Sequence, residues 1–498
     1  MVSVRTARSQ LLSTAVVVLL GWCAVGSAAA QSDPDPDEEE TEVDEPKHGP
    51  VVTQAPPIPK AAPVSPAALM GALPFTFSFR GTLAITLYAQ STPSYAGNGL
   101  FALTAPAPDL GDSWLMGADL RQSRFALNVS GPPILEAATL ASIEFEMGGG
   151  SQIDSVGTRP ATAPVVDANG MPIGAALVPL RSSPQGDESL LPRLRVAFIE
   201  FNWGGGTNVL RAGQYHNLLL AMISASGAHP AVLGYGAGQL GWRAPGITYS
   251  HRFTLSDSVK LDMAFQLNRN SWIDNANFCT AGAPPAVNCL PTGVSLGEAG
   301  LPQVQARFML LGPLAETPWP HYAPTLWQVY VVGHWDQKDL SGVGLNRTML
   351  RDTMTTYIVE GGFKVKLGPL LIASNGWIGQ NAGQVFGHIF QMQTPDKPDV
   401  FGMGVWGQAG FSLTKKWSLW AFAGIDQPNR ADAIAAGFAA LRNVQMAGQL
   451  AYVDGPLMTT LELYYFATTS LAVNPATMLS FDQTLSAYQP SMTFAYAF

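Results

Sequence analysis

From residue 75 onward the chain repeats one pattern, a run of alternating apolar and polar side chains followed by a turn. The clearest run is 258–268, where Val259, Leu261, Met263, Phe265 and Leu267 share one parity and Lys260, Asp262, Gln266 and Asn268 the other. A period of two is that of a β-strand with one apolar face. Sixteen such strands are predicted. They span 75–90, 120–130, 137–148, 193–203, 207–214, 239–253, 258–268 and 301–311, then 324–336, 353–366, 369–380, 399–413, 416–424, 440–453, 457–467 and 485–498. Alternation alone does not separate a soluble sandwich, apolar face inward, from a membrane barrel, apolar face outward. The connections decide it. They run long, short, long, short: 204–206, 255–257, 414–415 and 454–456 are tight, whereas 91–119, 149–192 and 269–300 are long. That asymmetry and an even strand number predict an all-β transmembrane antiparallel barrel with short periplasmic turns and long extracellular loops. Only 312–323 is longer than its side of the barrel predicts.

Composition supports this class. Charged residues make up 13% of the 498, against roughly 25% in a typical soluble domain. No segment after residue 31 offers the roughly 20 consecutive apolar residues of a spanning helix, and only helices and closed barrels satisfy their backbone in lipid. Aromatic girdles are expected at both interfaces from Trp327, Trp335, Tyr357, Trp417, Tyr452 and Tyr465 near strand ends. Residues 1–30 read as an export signal, with Arg5 and Arg8 before an apolar stretch and Ala28-Ala29-Ala30 as cleavage site. Cys23 would suit a lipid anchor, but Trp22 stands where a small residue is expected. Residues 31–70 hold repeated prolines and nine acids against two lysines, a composition that does not fold alone. They are expected to form a disordered periplasmic tail, either a tether or a solvated spacer, with the barrel occupying 71–498. The net charge of −9 resides mostly in that tail, and nothing points to nucleic acid.

In a barrel the remaining chemistry is the placement of charge in the lumen, where basic rings favour anions and acidic rings cations. Parity turns Arg124 inward against Phe125, Leu127 and Val129. Glu144, Glu146, Lys260, Asp262, Arg307, Glu360 and Lys364 oppose apolar neighbours in the same way, whereas Arg195 and Arg211 lie on strands that alternate poorly. Two readings stay open: Arg124, Arg195, Arg211 and Arg243 form a basic ladder, or the lumen charges simply pair with nearby glutamates. Lys338 is read as an exposed loop residue. Enzymatic signals are thin, and no cofactor or metal is expected. Gly236-Ala237-Gly238-Gln239-Leu240-Gly241 spells GxGxxG without a following helix pattern. His334 and Asp336 share a strand face, which is short of a metal site. No Ser–His pair suggests a nucleophile. Cys279 and Cys289, the only cysteines after the leader, are expected to form a disulfide in the fourth extracellular loop, since export places them in an oxidising compartment.

The chain ends on Phe494, Tyr496 and Phe498 at alternating positions. This ending resembles the sorting signal that barrel-assembly machinery recognises in outer-membrane proteins. Between residues 121 and 253 the sequence resembles the trimeric porin superfamily, most like its DcaP-type, dicarboxylate-associated members. The resemblance rests on Gln122-Ser123-Arg124-Phe125, Ser142-Ile143-Glu144-Phe145-Glu146, Pro192-Arg193-Leu194-Arg195-Val196-Ala197-Phe198 and Leu210-Arg211-Ala212-Gly213-Gln214 in that order. It implies a homotrimer in outer-membrane lipid whose third loop, here 215–238, folds into the channel. Such porins often carry acids on that loop and a helical N-terminal extension, whereas this loop has no acid and this tail is Pro-rich. The expected function is passage of small hydrophilic solutes, with small anions such as dicarboxylates favoured. A structural or adhesive barrel that displays its loops, with its tail facing the cell wall, is the alternative, and a barrel enzyme a distant third.

Overall fold

In the computed structural model the described residues are 75–91, 114–149, 161–166, 172–178, 191–224, 234–269, 301–315, 324–339, 353–391, 397–438, 440–473, 477 and 480–498. The leader, the tail and the Cys279–Cys289 pair lie outside them. The first strands are β1 (Thr76–Gln90), β2 (Leu115–Asp119), β3 (Arg124–Ile134), β4 (Ala137–Gly149), β5 (Ala161–Val166), β6 (Pro172–Val178), β7 (Leu191–Trp203) and β8 (Asn208–His216). Then come β9 (Arg243–Ser256), β10 (Val259–Asn268), β11 (Gln303–Leu311), β12 (Trp327–Asp339), β13 (Thr353–Leu367) and β14 (Leu370–Gln380). The last are β15 (Phe401–Ser412), β16 (Trp417–Pro428), β17 (Ala440–Asp454), β18 (Leu457–Val473) and β19 (Ser480–Ala497). Apart from β5 and β6, every strand joins one antiparallel sheet, and β1 pairs with β19 to close it. With β2 and β3 taken as one interrupted strand along β1, the barrel has sixteen staves. Closure leaves no sheet edge unpaired, the condition for strands in lipid.

The alternation is realised as apolar outside and mixed inside. On β1, Leu83, Ile85 and Leu87 are exposed while Ala84 and Thr86 are buried. On β10, Phe265 and Leu267 point out, and Asp262, Gln266 and Asn268 are buried within. Trp335, Tyr357 and Trp417 are exposed near strand ends, and Trp417 packs on Tyr452 with ring centroids 4.8 Å apart. Phe494, Tyr496 and Phe498 share the exposed face of β19. Phe498 exchanges backbone hydrogen bonds with Gly81 (2.8 and 3.0 Å), and its ring lies 5.8 Å from Phe79 and 6.3 Å from Phe125.

Four local features differ from expectation. The second strand begins at Leu115, inside the stretch read as loop, and breaks at residues 120–123. There Asp119 accepts hydrogen bonds from Arg121 N and Nε (both 2.8 Å), and Ser123 Oγ exchanges bonds with Ala84 N and O in place of ladder pairs. The long connection 149–192 contains the hairpin of β5 and β6. A short helix, α1 (Arg430–Ala436), follows β16, N-capped by Asn429 and closed by left-handed Gly437. Finally, Lys338 is no loop residue. It continues β12 inward, is fully buried, and donates to Asp336 Oδ1 at 2.6 Å.

Candidate functional site

The inner faces of β3, β4 and β7 to β9 carry the charges expected there, and pairing dominates. Glu146 binds Arg193 and Arg243 (3.0 Å), with Arg195 Nε at 3.1 Å, while Glu144 binds Arg195. Glu200 binds Arg211. The structure thus brings Arg124, Glu144, Glu146, Arg195 and Arg243 into one cluster, with Arg211 beside it. Alternation fails at Arg195 because β7 has a register shift there: Glu144 faces Val196 and Phe145 faces Leu194, so Arg195 and Val196 are both buried. A β-bulge of this kind re-aims one side chain. Arg211 sits directly opposite Glu200 and lies over the Tyr215 ring at 3.8 Å.

Five guanidiniums, those of Arg124, Arg193, Arg195, Arg211 and Arg243, thus meet three carboxylates, those of Glu144, Glu146 and Glu200. Arg124 is the one left over. Among the described residues no carboxylate forms an ion pair with it, and its Nε is buried without a hydrogen-bond partner.

The other expected lumen residues lie further round the wall. Asp262 is held by Arg307 (2.8 Å) and Arg252 (3.1 Å), with Lys260 on the same inward parity. Glu360 accepts from Tyr330 (2.9 Å) and Asn375 (3.2 Å), and Lys364 donates to Thr325 (3.0 Å). Arg193, Glu200 and Arg252 belong to these networks although pattern alone does not single them out; opposite charge at paired register positions is the signal that finds Glu200 and Arg252. His334 and Asp336 are joined at 2.9 Å and continue to Lys338. Among the described residues no cluster of three or more potential ligands suits a metal ion.

Of the connection between β8 and β9 (L3), the described residues 217–224 and 234–242 lie inside the barrel. At its root, Leu218 N donates to Gln305 (2.6 Å) and Gln266 (3.0 Å). Its far limb reaches the inner faces of β15 to β17, where Gly234 N donates to Gln445 (2.7 Å) and Asn443 donates to Gly236 O (2.8 Å). The GxGxxG segment is this limb. Gly236, Gly238 and Gly241 have φ of 72°, 101° and 94°. A Cβ on Gly238 would lie 2.4 Å from Val405 O. These glycines serve a left-handed backbone laid flat against a wall, a need only glycine meets cheaply. Tyr235 OH donates to Gly241 O at 2.8 Å, and burial raises its pKa above the usual phenolic value, so it stays protonated.

A second segment, absent from sequence expectation, also folds inward. Residues 381–391 of the β14–β15 connection (L6) are buried almost throughout, and Gly241 N donates to Val385 O at 2.9 Å. Burial pushes the His388 imidazole down to about 3, so it is neutral. Beneath both loops lies an aromatic wall of Trp377, Trp406, Trp420, Phe422, Tyr464 and Phe466, each under 5% exposed.

The geometry of a closed, internally looped barrel can be set beside known proteins. Its structure is similar to that of the outer membrane channel DcaP of Acinetobacter baumannii, with a TM-score of 0.54 and 12% identity over 85% of this chain and 97% of that one. The chain has the fold of the outer-membrane porins. The outer-membrane expressed OmpT of Vibrio cholerae matches at a TM-score of 0.46 (10% identity, 86% of this chain, 99% of that one). The anion-selective porin from Comamonas acidovorans matches at 0.47 (9% identity, 85% and 100%). No sequence family and no curated protein matches the chain. Within the porin fold, L3 occupies the third long connection, where the sequence resemblance places the loop that enters the channel.

Proposed function

We propose that the protein is an outer-membrane channel for small hydrophilic solutes with a modest preference for anions, small dicarboxylates being the favoured substrate class. The observation that carries the anion preference is the excess of guanidinium over carboxylate on β3 to β9, with Arg124 in no ion pair among the described residues. L3 supports it, because 215–238 bring no Asp or Glu to oppose that wall. Arg124, Arg195, Arg211 and Arg243, with Glu144 and Glu146, are the pore-lining residues of this reading, and Lys260, Asp262, Arg307, Glu360 and Lys364 extend the lining. In the same reading the barrel sits in the outer membrane as a homotrimer, its tail in the periplasm, delivered by barrel-assembly machinery that recognises Phe494, Tyr496 and Phe498. The test is single-channel recording in a planar bilayer under a salt gradient. A stable open conductance with a reversal potential displaced toward anions at low salt is expected. A cation-selective channel would defeat the charge assignment, and a silent barrel would favour loop display over transport.

A further inference from the structure

We propose that L6 is a second constriction element: Val385, Phe386 and Phe390 clamp the far limb of L3 against the barrel wall and thereby set the size limit of the channel. The inference rests on the channel reading above and concerns a segment which that reading does not use.

The L3 limb has a barrel wall on one side and L6 on the other. On the wall side, a Cβ on Gly424 would meet Ala237 O at 2.2 Å, and one on Gly404 would meet the Gly238 Cα at 2.8 Å. On the L6 side, a Cβ on Gly236 would lie 2.5 Å from the Phe390 ring. Phe386 packs its ring 4.9 Å from Tyr235, 4.9 Å from Trp242 and 5.2 Å from Phe390. Gly241 N is bonded to Val385 O. The limb is therefore held between wall backbone on one side and L6 rings and backbone on the other.

L6 holds this position at a cost. Phe386, His388, Ile389 and Phe390 have φ between 51° and 71°, a left-handed backbone that L-residues adopt only under strain. Four such residues in five persist only where their surroundings fix them. Two sets of side-chain contacts fix L6. Asn381, itself left-handed, donates to Asp399 (2.6 Å) and Thr355 O (2.9 Å) and accepts from Val400 N (3.1 Å). Gln391 exchanges two hydrogen bonds with the Ala440 backbone (2.7 and 2.8 Å). A closed barrel needs no internal plug for its own backbone, because every stave is already paired to its neighbours. The strained, doubly anchored segment is explained by what it holds, which is the loop that crosses the lumen.

The test uses the full-length chain carrying Phe386→Ala and Phe390→Ala together. Conductance in a bilayer and uptake of neutral sugars of graded size into liposomes are compared with the unmodified protein. The expected result is a larger conductance and a size limit shifted to larger sugars. Ile434→Ala, an exposed change on α1, should shift neither. A folded double variant with unchanged conductance and size limit overturns the clamp. Should the double variant fail to assemble, Phe390→Leu takes its place, removing the ring over Gly236 while keeping apolar bulk, and the same shift, smaller, is expected. Hydrogen exchange at the Gly241 amide separates the two proposals. If the unmodified protein does not conduct, the channel reading fails, yet exchange at Gly241 should still accelerate in the variant; unchanged exchange refutes the clamp itself.

Discussion

The inner faces of β3 to β9 and of β14 to β18 are built from opposite chemistry, although both present the same apolar surface outward. The first is a lattice of arginines and glutamates whose ion pairs run from strand to strand. The second is a sheet of tryptophan, phenylalanine and tyrosine onto which L3 and L6 are laid. In the first half each strand buries one polar face, and solvation of its charges comes from partners across the ladder. In the second half the outer face is apolar, and the inner face sets the aromatic rings among buried amides such as Asn443 and Gln445, which bond the loops. In the proposed channel, charge and loop contact therefore fall on different walls: ion pairs line β3 to β9, and L3 and L6 rest on the aromatics of β14 to β18.

The join between the halves is the place to break the comparison most severely. β19 meets β1 there, and Phe498 both pairs with Gly81 and packs on Phe79 and Phe125. Deleting Phe498 should lower the yield of assembled barrel several-fold while leaving the conductance of correctly folded molecules unchanged. Heat-modifiable mobility of membrane extracts reads the first, and single-channel recording the second. Normal yield would mean that the seam closes without its terminal ring.

The aromatic wall comes next. Trp406 is 1% exposed and stacks near Phe422 with centroids 6.1 Å apart. Trp406→Ala should cost about 4 kcal/mol, in the range for a buried aromatic truncated to Ala. Unfolding in denaturant would measure it. Reversal potential should stay where it is, since no charge is touched. A selectivity change at constant stability would show that the two walls are not separable.

Much of this contrast was legible in the chain, and unevenly. All sixteen staves follow from period-two alternation and turn spacing, because lipid enforces the outward parity on every strand. Inward direction was readable at Arg124, Glu144, Glu146, Asp262 and Glu360, where a charge stands between apolar neighbours. It was ambiguous at Arg195, where a bulge shifts the register by one, and at Arg211. Lys338 was misplaced because polar residues crowd the end of β12, where alternation no longer marks the strand; its partner Asp336 lies two residues back on the same face. L6 was invisible for a different reason. Its Gly, Val, Phe and Ile carry no periodicity, and its inward course is set by tertiary contacts with L3. The GxGxxG glycines, which lack the helix of a nucleotide loop, serve close backbone approach instead.

Glu146→Gln sharpens the polar side of the comparison. Glu146 is the node shared by Arg193, Arg195 and Arg243. Removing its charge leaves Arg193 and Arg243 without a carboxylate while Arg195 keeps Glu144, and loss of one partner in a buried network should cost about 3 kcal/mol. Unlike Trp406→Ala, it should also strengthen anion preference, because one of three opposing carboxylates on that wall is gone. Lower stability with unchanged reversal potential would mean that the cluster is structural and lies off the permeation path.

The smallest expected effect tests the charge assignment most cleanly. Arg124 is the guanidinium without a carboxylate, so Arg124→Ala breaks no ion pair among the described residues and should leave stability nearly unchanged. It removes one of the excess positive charges on that wall, so the reversal potential should move toward cations. Solvated charges are screened over about 8 Å at physiological ionic strength, so the shift should be clear at low salt and shrink as salt rises. Lys338 is unsuitable as the neutral control, being buried and bound to Asp336. Lys416 serves instead: it lies in the short turn before β16, about half exposed, and pairs with Asp454 at 2.7 Å. Lys416→Ala should leave the reversal potential alone at every salt concentration. Equal shifts from Arg124→Ala and Lys416→Ala would show that the overall charge of the protein sets the preference, and the polar wall would lose its special role.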